Sequence, residues 1–405
     1  MTSVCSAHPL VIEAALMQAA ESGGVALIEA TCNQVNQEGG YTGLTPAAFR
    51  DLVHGIADRV SLPHDRIILG GDHLGPNPWK HLPAGQALAK AGDMIAAYAA
   101  AGFEKLHLDC SMGCAGEPAS LADALTAERS AGLAGRAERA TDRPTVYVIG
   151  TEVPTPGGAT AALDHLQPTS PDAVLATHAV HERAFRAAGC EDAWTRVVAM
   201  VVQPGVEFGH EQVVVYDRAR AASLPRTLDR LPGLVFEAHS TDYQPETALR
   251  QLVEDGFAIL KVGPALTFAL RETLYALDAV AAALGLELEP VAAVTERLML
   301  ARPADWRSHY AGSEGEQRIL RHYSYSDRIR YYWPAPEAEA AVARLLGALG
   351  RVTIPETLIS QYLPLLYGRV MDGTLRPEPR RLLIEAVRDV LRRYERAGRA
   401  TTVER

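Results

Sequence analysis

Short apolar runs alternate along most of the chain with longer segments in which apolar residues recur at helical spacing. Runs bounded by glycine and polar residues are typical of buried strands, and the longer segments are typical of helices. Because continuous apolar strands that alternate with helices indicate a parallel sheet covered on both faces, the pattern predicts an α/β protein. The predicted strands cover residues 25–30, 66–70, 105–108, 145–149, 196–202, 234–237 and 257–260.

An eighth strand is predicted at residues 328–333, where Pro334 closes the run. No dinucleotide-binding Gly-x-Gly-x-x-Gly follows the first strand, so a closed (β/α)8 TIM barrel with extra C-terminal helices fits better than an open doubly wound sheet. No linker rich in Ser, Gly or Pro divides the chain, and we expect residues 1–405 to form a single domain. Within it, residues 1–22 carry an N-terminal helix, and residues 290–405 carry the last strand and the extra helices.

Composition narrows the class of protein. Of the 405 residues 48% are hydrophobic, and the formal net charge is −10 without a basic patch, which argues against nucleic-acid and anionic-membrane partners. Five scattered cysteines suggest free thiols in a reducing compartment. The first residues lack the pattern of a signal peptide, and no apolar window is long enough to span a membrane. We therefore expect a cytoplasmic protein. We also expect it to form a homo-oligomer.

The predicted strands are apolar through their length and end in polar residues. In a TIM barrel the carboxyl ends of the strands form the catalytic face, so polar residues at seven exits are a stronger signal than any single motif. The residues that we expect to bind substrate at this face are Glu29, Asn33, Ser111, Gln203, Ser240, Thr241, Asp242, Lys261 and Gly263.

Three histidines lie at or just after strand ends, namely His73, His210 and His239. Three imidazoles with one open position form a Zn²⁺ site that polarises a substrate oxygen, and the same ligands suit Mn²⁺, Co²⁺ or Ni²⁺. Each histidine by itself is more often a structural residue. Their joint placement favours a divalent metal, provided that the barrel brings them together.

Four acids leave the same face, Asp72, Asp109, Glu152 and Asp242, and the first three are our candidates for proton transfer. Capping of a turn is the alternative for Asp109, which precedes Ser111 by two positions. Lys261 is either a Schiff-base amine or a fixed charge beside an anionic intermediate. With three histidines available, we favour the fixed charge.

Several motifs together resemble the GatZ/KbaZ family. They include Gly71-Asp72-His73-Leu74-Gly75-Pro76, Leu108-Asp109-Cys110-Ser111-Met112, Gly150-Thr151-Glu152-Val153-Pro154, Gln203-Pro204-Gly205-Val206-Glu207-Phe208, Glu237-Ala238-His239-Ser240-Thr241-Asp242 and Lys261-Val262-Gly263-Pro264. The resemblance extends from residue 4 to residue 334. Members of this family are named tagatose-1,6-bisphosphate aldolase subunits or tagatose 6-phosphate kinases, and some are described as 4-epimerases of free tagatose and fructose.

The resemblance also implies a mechanism. The family is similar to the class II aldolases, which are metal-dependent barrels. By their motif order, His73, His210 and His239 would be the metal ligands and Asp72 the acid-base residue. The match at Gly209-His210 is looser, because no residue separates the two.

The chain departs from the aldolases directly after the third histidine. The aldolases have a glycine-rich turn there that helps to hold a substrate phosphate, whereas Ser240-Thr241-Asp242 follows His239 in this chain. Without glycine, backbone amides approach a phosphate less closely, and Asp242 would repel it. This favours an unphosphorylated sugar as the substrate.

We therefore expect a metal-dependent ketohexose 4-epimerase that interconverts D-tagatose and D-fructose by retro-aldol and aldol steps. Asp72 and Glu152 would transfer the protons, with Asp109 as a rival to Glu152. The alternatives are a class II aldolase that cleaves tagatose 1,6-bisphosphate and a non-catalytic subunit that stabilises a partner aldolase. A stabilising subunit has no need of the histidines and acids, and a kinase would need a nucleotide-phosphate loop.

Overall fold

Eight parallel strands close into a barrel in a computed structural model, which describes residues 1–150 and 166–399. The strands are β1 (Thr2–Cys5), β2 (Ala26–Thr31), β3 (Ile67–Leu74), β4 (Lys105–Leu108), β5 (Val146–Ile149), β6 (Val197–Val201), β7 (Glu207–Phe208), β8 (Val213–Val214), β9 (Val235–Ala238) and β10 (Phe257–Val262). Around the barrel the order is β1-β10-β9-β6-β5-β4-β3-β2, and β7 and β8 form a separate antiparallel hairpin. The fold is therefore the predicted TIM barrel.

The strand that closes the barrel is β1, at the start of the chain. It pairs with β2 on one side and with β10 on the other. The prediction of only an N-terminal helix over residues 1–22 was therefore incomplete, because a strand precedes α1 (Pro9–Ser22). The strand has four residues, Thr-Ser-Val-Cys, with no run of large apolar side chains, and its neighbours on both sides stabilise it.

The predicted eighth strand was wrong. Residues Arg328–Tyr332 form a 3-10 helix. Within it Ile329 and Tyr332 are buried, three positions apart. That spacing matches the three residues per turn of a 3-10 helix, in which such residues share one face. The aromatic and β-branched content of the segment had suggested a strand.

Helices surround the barrel and extend it at the C-terminal end. Among the described residues, no helix is long and apolar enough to cross a membrane. The other helices are α2 (Pro46–Val60), α3 (Ala84–Ala100), α4 (Asp123–Glu138), α5 (Pro171–Ala187), α6 (Glu191–Trp194), α7 (Arg218–Ala221), α8 (Glu246–Glu254), α9 (Pro264–Ala283), α10 (Val291–Ala301), α11 (Glu314–Tyr323), α12 (Pro336–Leu349), α13 (Glu356–Tyr362), α14 (Pro364–Met371) and α15 (Pro379–Arg399).

Two glycines of β3 and the turn after it allow close packing at the barrel mouth. A Cβ on Gly70 would lie 2.6 Å from the Glu29 side chain, and a Cβ on Gly75 would lie 1.8 Å from the carbonyl oxygen of Asp109. Neither position therefore tolerates a larger residue unless its neighbours move. The glycines let β3 lie against β2 and the end of β4, which places Asp72 and His73 inside the mouth.

Candidate active site

A cavity of about 120 Å³ opens at the carboxyl ends of the strands. Its walls come from loops that follow several strands and from the 3-10 helix at 328–332, so residues far apart in sequence share one space. The polar residues that line it include Asn33, Tyr41, Asp72, His73, His239, Ser240, Asp242, Lys261 and Arg330.

His73 and His239 face each other at this mouth. His73 Nε2 lies 3.1 Å from His239 Nδ1. The opposite ring nitrogen of each is held by a carboxylate, since His73 Nδ1 lies 2.9 Å from Asp109 and His239 Nε2 lies 2.9 Å from Glu237. A carboxylate behind each imidazole is the arrangement that orients histidines bound to a metal. The two facing nitrogens are therefore the atoms positioned to bind a cation.

The electrostatics of the site support this assignment. Burial lowers the pKa of His239 to about 3, so its ring is neutral and keeps a lone pair. Burial alone would raise the pKa of Asp72, but the charges of His73 and Lys261 hold it well below its usual range. Asp72 is therefore an ionised carboxylate, and its Oδ2 lies 3.8 Å from His73 Nε2. Burial alone would lower the pKa of His73, but Asp72 and Asp109 raise it, so His73 is protonated without a metal and a bound cation would displace its Nε2 proton.

His107 completes this group of side chains. Its Nε2 lies 2.9 Å from the carbonyl oxygen of Gly150, which can only accept a hydrogen bond. Its Nδ1 lies 3.2 Å from the backbone N–H nitrogen of His73 and 3.1 Å from Asp72 Oδ1. Both ring nitrogens thus have partners within the protein, and His107 holds the backbone of His73 and the Asp72 carboxylate in place.

Two residues of the site adopt a left-handed backbone conformation. His73 has φ 48° and Ser240 has φ 52°, values that non-glycine residues rarely adopt. Such strain costs about 1–3 kcal/mol and persists only where the surroundings enforce it. The end of β3 and the turn after β9 therefore hold both histidines in positions that a relaxed strand end would not give.

The donor set fits a divalent metal. One ligand atom from each of four buried residues lies within 4.8 Å of the others, and we call this group the histidine cluster: Asp72, His73, His107 and His239. Imidazole nitrogens with a carboxylate oxygen suit Zn²⁺ and other first-row divalent ions. His73 and His239 would hold the ion, with the Asp72 carboxylate beside it.

A second buried group lies further from the mouth, about two residues earlier along the strands, and we call it the lysine–glutamate cluster: Glu29, Lys105, Glu237 and Lys261. Lys105 Nζ lies 2.6 Å from Glu29 and 2.7 Å from Glu237. Lys261 pairs with Glu29 and lies 2.9 Å from Asp72. Burial alone would lower the pKa of Lys105, but the charges of Glu237 and Glu29 raise it above its usual value. The lysines are therefore charged, and Lys261 carries a positive charge to the edge of the cavity.

Asp109 and Ser111 form one unit with His73. Besides its contact with His73, the Asp109 carboxylate accepts hydrogen bonds from the Ser111 hydroxyl at 2.6 Å and the Ser111 N–H at 3.1 Å. Asp109 therefore orients His73. Ser111, a predicted substrate-binding residue, supports that carboxylate.

The structure does not bring His210 to the histidine cluster. His210 lies in the turn between β7 and β8, and its ring nitrogens lie 3.1 Å from the Ser324 hydroxyl and 3.1 Å from the carbonyl oxygen of His309. The hairpin turns this residue towards the segment after α11. Its assignment as the third metal ligand stays a prediction, which the geometry does not favour.

The other predicted residues fall into three groups. Asn33, Ser240, Asp242, Lys261 and Gly263 line the cavity, as expected. Three do not line it and instead stabilise the mouth: Glu29 in the lysine–glutamate cluster, Gln203 through bonds to the backbone of Gly205 and Val206, and Thr241 through a bond to the carbonyl oxygen of Lys261. Glu152 lies outside the described residues.

Sequence reasoning missed His107, Lys105 and Glu237 because they lie within strands and not at their ends. A signal was present: Lys105, His107 and Asp109 alternate, as do Glu237 and His239. Alternate strand residues share a face, so polar side chains at this spacing in a buried strand point into the barrel. Arg330 was missed because its segment was taken for a strand.

The fold and the site define a (β/α)8 barrel with a polar mouth at the carboxyl ends of its strands, where TIM-barrel enzymes have their active sites. The chain matches the family model "D-tagatose-1,6-bisphosphate aldolase subunit GatZ/KbaZ-like" over residues 1–399 and belongs to that family. It is 58% identical to a solved structure from Sinorhizobium meliloti 1021, described as a probable tagatose 6 phosphate kinase, with a TM-score of 0.92 over 98% of this chain and 99% of that one.

A more distant solved structure shares the fold. It is the fructuronate-tagaturonate epimerase UxaE from Cohnella laeviribosi, which is 12% identical with a TM-score of 0.52, over 98% of this chain and 80% of that one. The match to the family model and the 58% identical structure confirm the resemblance to the GatZ/KbaZ family. The family relates the chain to tagatose-bisphosphate aldolases and so to sugar chemistry.

Proposed function

We propose that the protein is a metal-dependent ketohexose 4-epimerase that interconverts D-tagatose and D-fructose. The observation that carries this proposal is the pair of facing histidine nitrogens, each backed by a carboxylate, beside the ionised Asp72. Membership of an aldolase-related family supports carbon–carbon chemistry at this site.

A divalent cation bound by His73 and His239, such as Zn²⁺, Mn²⁺, Co²⁺ or Ni²⁺, would act as a Lewis acid that polarises the ketone of the sugar. Asp109 and Glu237 hold the two rings in the tautomers that present a lone pair to that position. His107 fixes the strained backbone of His73.

Asp72 takes the proton from the hydroxyl on carbon 4. The bond between carbons 3 and 4 then breaks, carbon 4 becomes an aldehyde, and the bonding electrons move towards carbon 3 and the ketone oxygen. The charge of Lys261, 2.9 Å from Asp72, favours the ionised carboxylate before the transfer and offsets the negative charge that develops afterwards.

The aldehyde fragment then rotates, and carbon 3 attacks its other face. That attack inverts the configuration at carbon 4, and the new alkoxide takes a proton, which balances the proton that Asp72 removed. A second acid is needed on the opposite side of the aldehyde. We keep Glu152 for this role, because Asp109, its rival, is engaged with His73 and Ser111.

The test is turnover of free D-tagatose by protein loaded with Zn²⁺ or Mn²⁺, followed as the appearance of D-fructose. Asp72→Asn is expected to abolish turnover while the protein keeps bound metal, because the amide cannot take the proton. If the variant retains most of the wild-type rate, the role of Asp72 is wrong. If the wild-type protein forms no fructose with any of the four metals, the epimerase proposal fails.

A class II aldolase is the second candidate, and the family description favours it. Trioses formed from tagatose 1,6-bisphosphate would support it. Absence of both products would favour a non-catalytic subunit, which is tested by whether the protein stabilises a partner aldolase. An ATP-consumption assay with tagatose 6-phosphate tests the kinase activity for which the S. meliloti protein is named.

A further inference from the structure

Cys5 lies at the end of β1, on the wall of the catalytic cavity. The residue is partly exposed, and its Sγ lies 3.5 Å from Asp72 Oδ2 and 3.7 Å from Glu29 Oε2. The proposed reaction assigns no role to Cys5. Its thiol nevertheless contacts the carboxylate that takes the proton in that reaction.

The two oxygens of Asp72 have different surroundings. Oδ1 lies 2.9 Å from Lys261 Nζ and 3.1 Å from His107 Nδ1, so side chains of the protein hold it in place. Oδ2 lies 3.8 Å from His73 Nε2, beyond hydrogen-bond distance, and 3.5 Å from the Cys5 sulfur. Oδ2 is therefore the oxygen that is available to take a proton, and the thiol is the donor beside it.

The Cys5 thiol keeps its proton at neutral pH. Burial raises its pKa well above the usual value; the charge of Lys261 opposes that rise, and the charges of Asp72 and Glu29 add to it. The S–H group is therefore a donor to Oδ2, and it is a weak one because sulfur forms weak hydrogen bonds. A hydroxyl group or a water molecule in this place would form a charge-assisted O–H···O⁻ hydrogen bond, which is about twice as strong as a neutral one.

The strength of that hydrogen bond affects proton transfer. A donor that stabilises the ionised carboxylate makes Oδ2 a weaker base, and its hydrogen bond is lost when Oδ2 takes the proton. The thiol weakens the base little, and its sulfur fills the position at the cavity wall from which a water molecule would donate. Because Lys261 and His107 already hold Oδ1, the carboxylate needs no strong second donor to stay in place.

We infer that Cys5 is a positioning residue that acts through Asp72: it keeps water and strong hydrogen-bond donors away from Oδ2, so that this oxygen stays basic. The inference rests on the proposed function and deepens it. Aldol cleavage also begins when a base removes the proton of the hydroxyl on carbon 4, so the role is the same if the protein cleaves tagatose 1,6-bisphosphate. In both reactions the thiol keeps its own proton, and the proton of the sugar moves to Oδ2.

The first experiment compares kcat, KM and bound metal in Cys5→Ser and Cys5→Val. Cys5→Ser places a strong donor beside Oδ2 and is expected to lower kcat about tenfold or more, with KM and metal content close to those of wild type. Cys5→Val has no donor and still excludes water, so its kcat should fall by at most about threefold. Cys190→Ser is the matched control and should keep the wild-type kcat, because Cys190 is also partly exposed but does not line the cavity.

A role in packing alone predicts the reverse order of the two Cys5 variants, since serine is the closest match to cysteine in shape. The inference is overturned if Cys5→Ser turns over faster than Cys5→Val while both proteins are folded and hold metal.

The second experiment needs neither a substitution of Cys5 nor turnover. Iodoacetamide labels metal-free wild type and Asp72→Asn, and mass spectrometry measures the labelling rate of Cys5 relative to Cys190. Neutralising Asp72 removes a charge that raises the thiol pKa, so Cys5 should be labelled at least about fivefold faster in the variant. An unchanged ratio would show that the thiol and the carboxylate do not interact, and would overturn the inference even if Cys5→Val fails to fold.

These outcomes separate the inference from the proposed function. Wild type that cleaves the bisphosphate and forms no fructose, with Cys5→Ser slower than Cys5→Val, would reject the epimerase and retain the inference. Fructose formation from free tagatose, with the two variants in the reverse order or with an unchanged labelling ratio, would retain the epimerase and reject the inference. Wild type that acts on neither sugar would reject both.

Discussion

The barrel holds two buried polar clusters, one pleat apart, with different electrostatic character. In the lysine–glutamate cluster two lysines face two glutamates, so charges cancel within the protein. In the histidine cluster, His73 and His239 direct nitrogens at each other while carboxylates hold their outer sides. The deeper cluster balances its own charges, whereas the upper one presents lone pairs and a carboxylate that suit a cation.

The difference assigns separate roles to neighbouring groups. A closed network of paired charges holds side chains in position, and removing one partner lowers the free energy of unfolding. A set of converging lone pairs is stabilised only when a cation binds, so removing one of them lowers metal affinity and the rate of the reaction. Glu237 belongs to both, because it pairs with Lys105 and holds His239.

The largest expected effect is on the histidine cluster. His73→Ala and His239→Ala should each remove the metal and lower kcat/KM about a thousandfold or more, because the Lewis acid contributes several kcal/mol. Metal content by mass spectrometry and fructose formation check this. His210→Ala is the control and should keep the metal. Loss of metal from His210→Ala, with retention in His73→Ala, would contradict our ligand assignment.

The next effect is on the lysine–glutamate cluster. Lys105→Met leaves Glu29 and Glu237 with one lysine between them in a buried site and should lower the free energy of unfolding by about 3–5 kcal/mol. Urea denaturation measures it. Lys90→Met, which breaks the exposed pair with Glu38, should cost at most about 1 kcal/mol. Equal effects of the two variants would refute the contrast between buried and exposed pairs.

The smallest expected effect is on metal affinity, when either of the two carboxylates behind the histidines is neutralised. Asp109→Asn and Glu237→Gln should each weaken metal binding by about 10–100-fold, as expected for groups that orient ligands. Glu237→Gln should lower stability more than Asp109→Asn, because it also removes a charge that faces Lys105. Metal titration and urea denaturation of the same preparations test this. A purely structural role would change stability and leave metal affinity intact.

The barrel could be predicted from the sequence because most of its strands are apolar runs, and the polar residues that follow them mark the end of the barrel where the site lies. It was not sufficient for β1, whose four residues form a strand only because β2 and β10 flank them. His73 and His239 could be predicted because His73 lies in the last two residues of β3 and His239 directly follows β9. The position of His210 depends on the path of the β7–β8 hairpin, which spacing along the chain does not determine.

The most direct test of the central claim is anomalous diffraction at the zinc edge from crystals grown with Zn²⁺. Our account predicts one strong peak at the barrel mouth, about 2.0–2.1 Å from both His73 Nε2 and His239 Nδ1. A peak that lacks either nitrogen as a ligand, or no peak at the mouth in zinc-loaded protein, would contradict it.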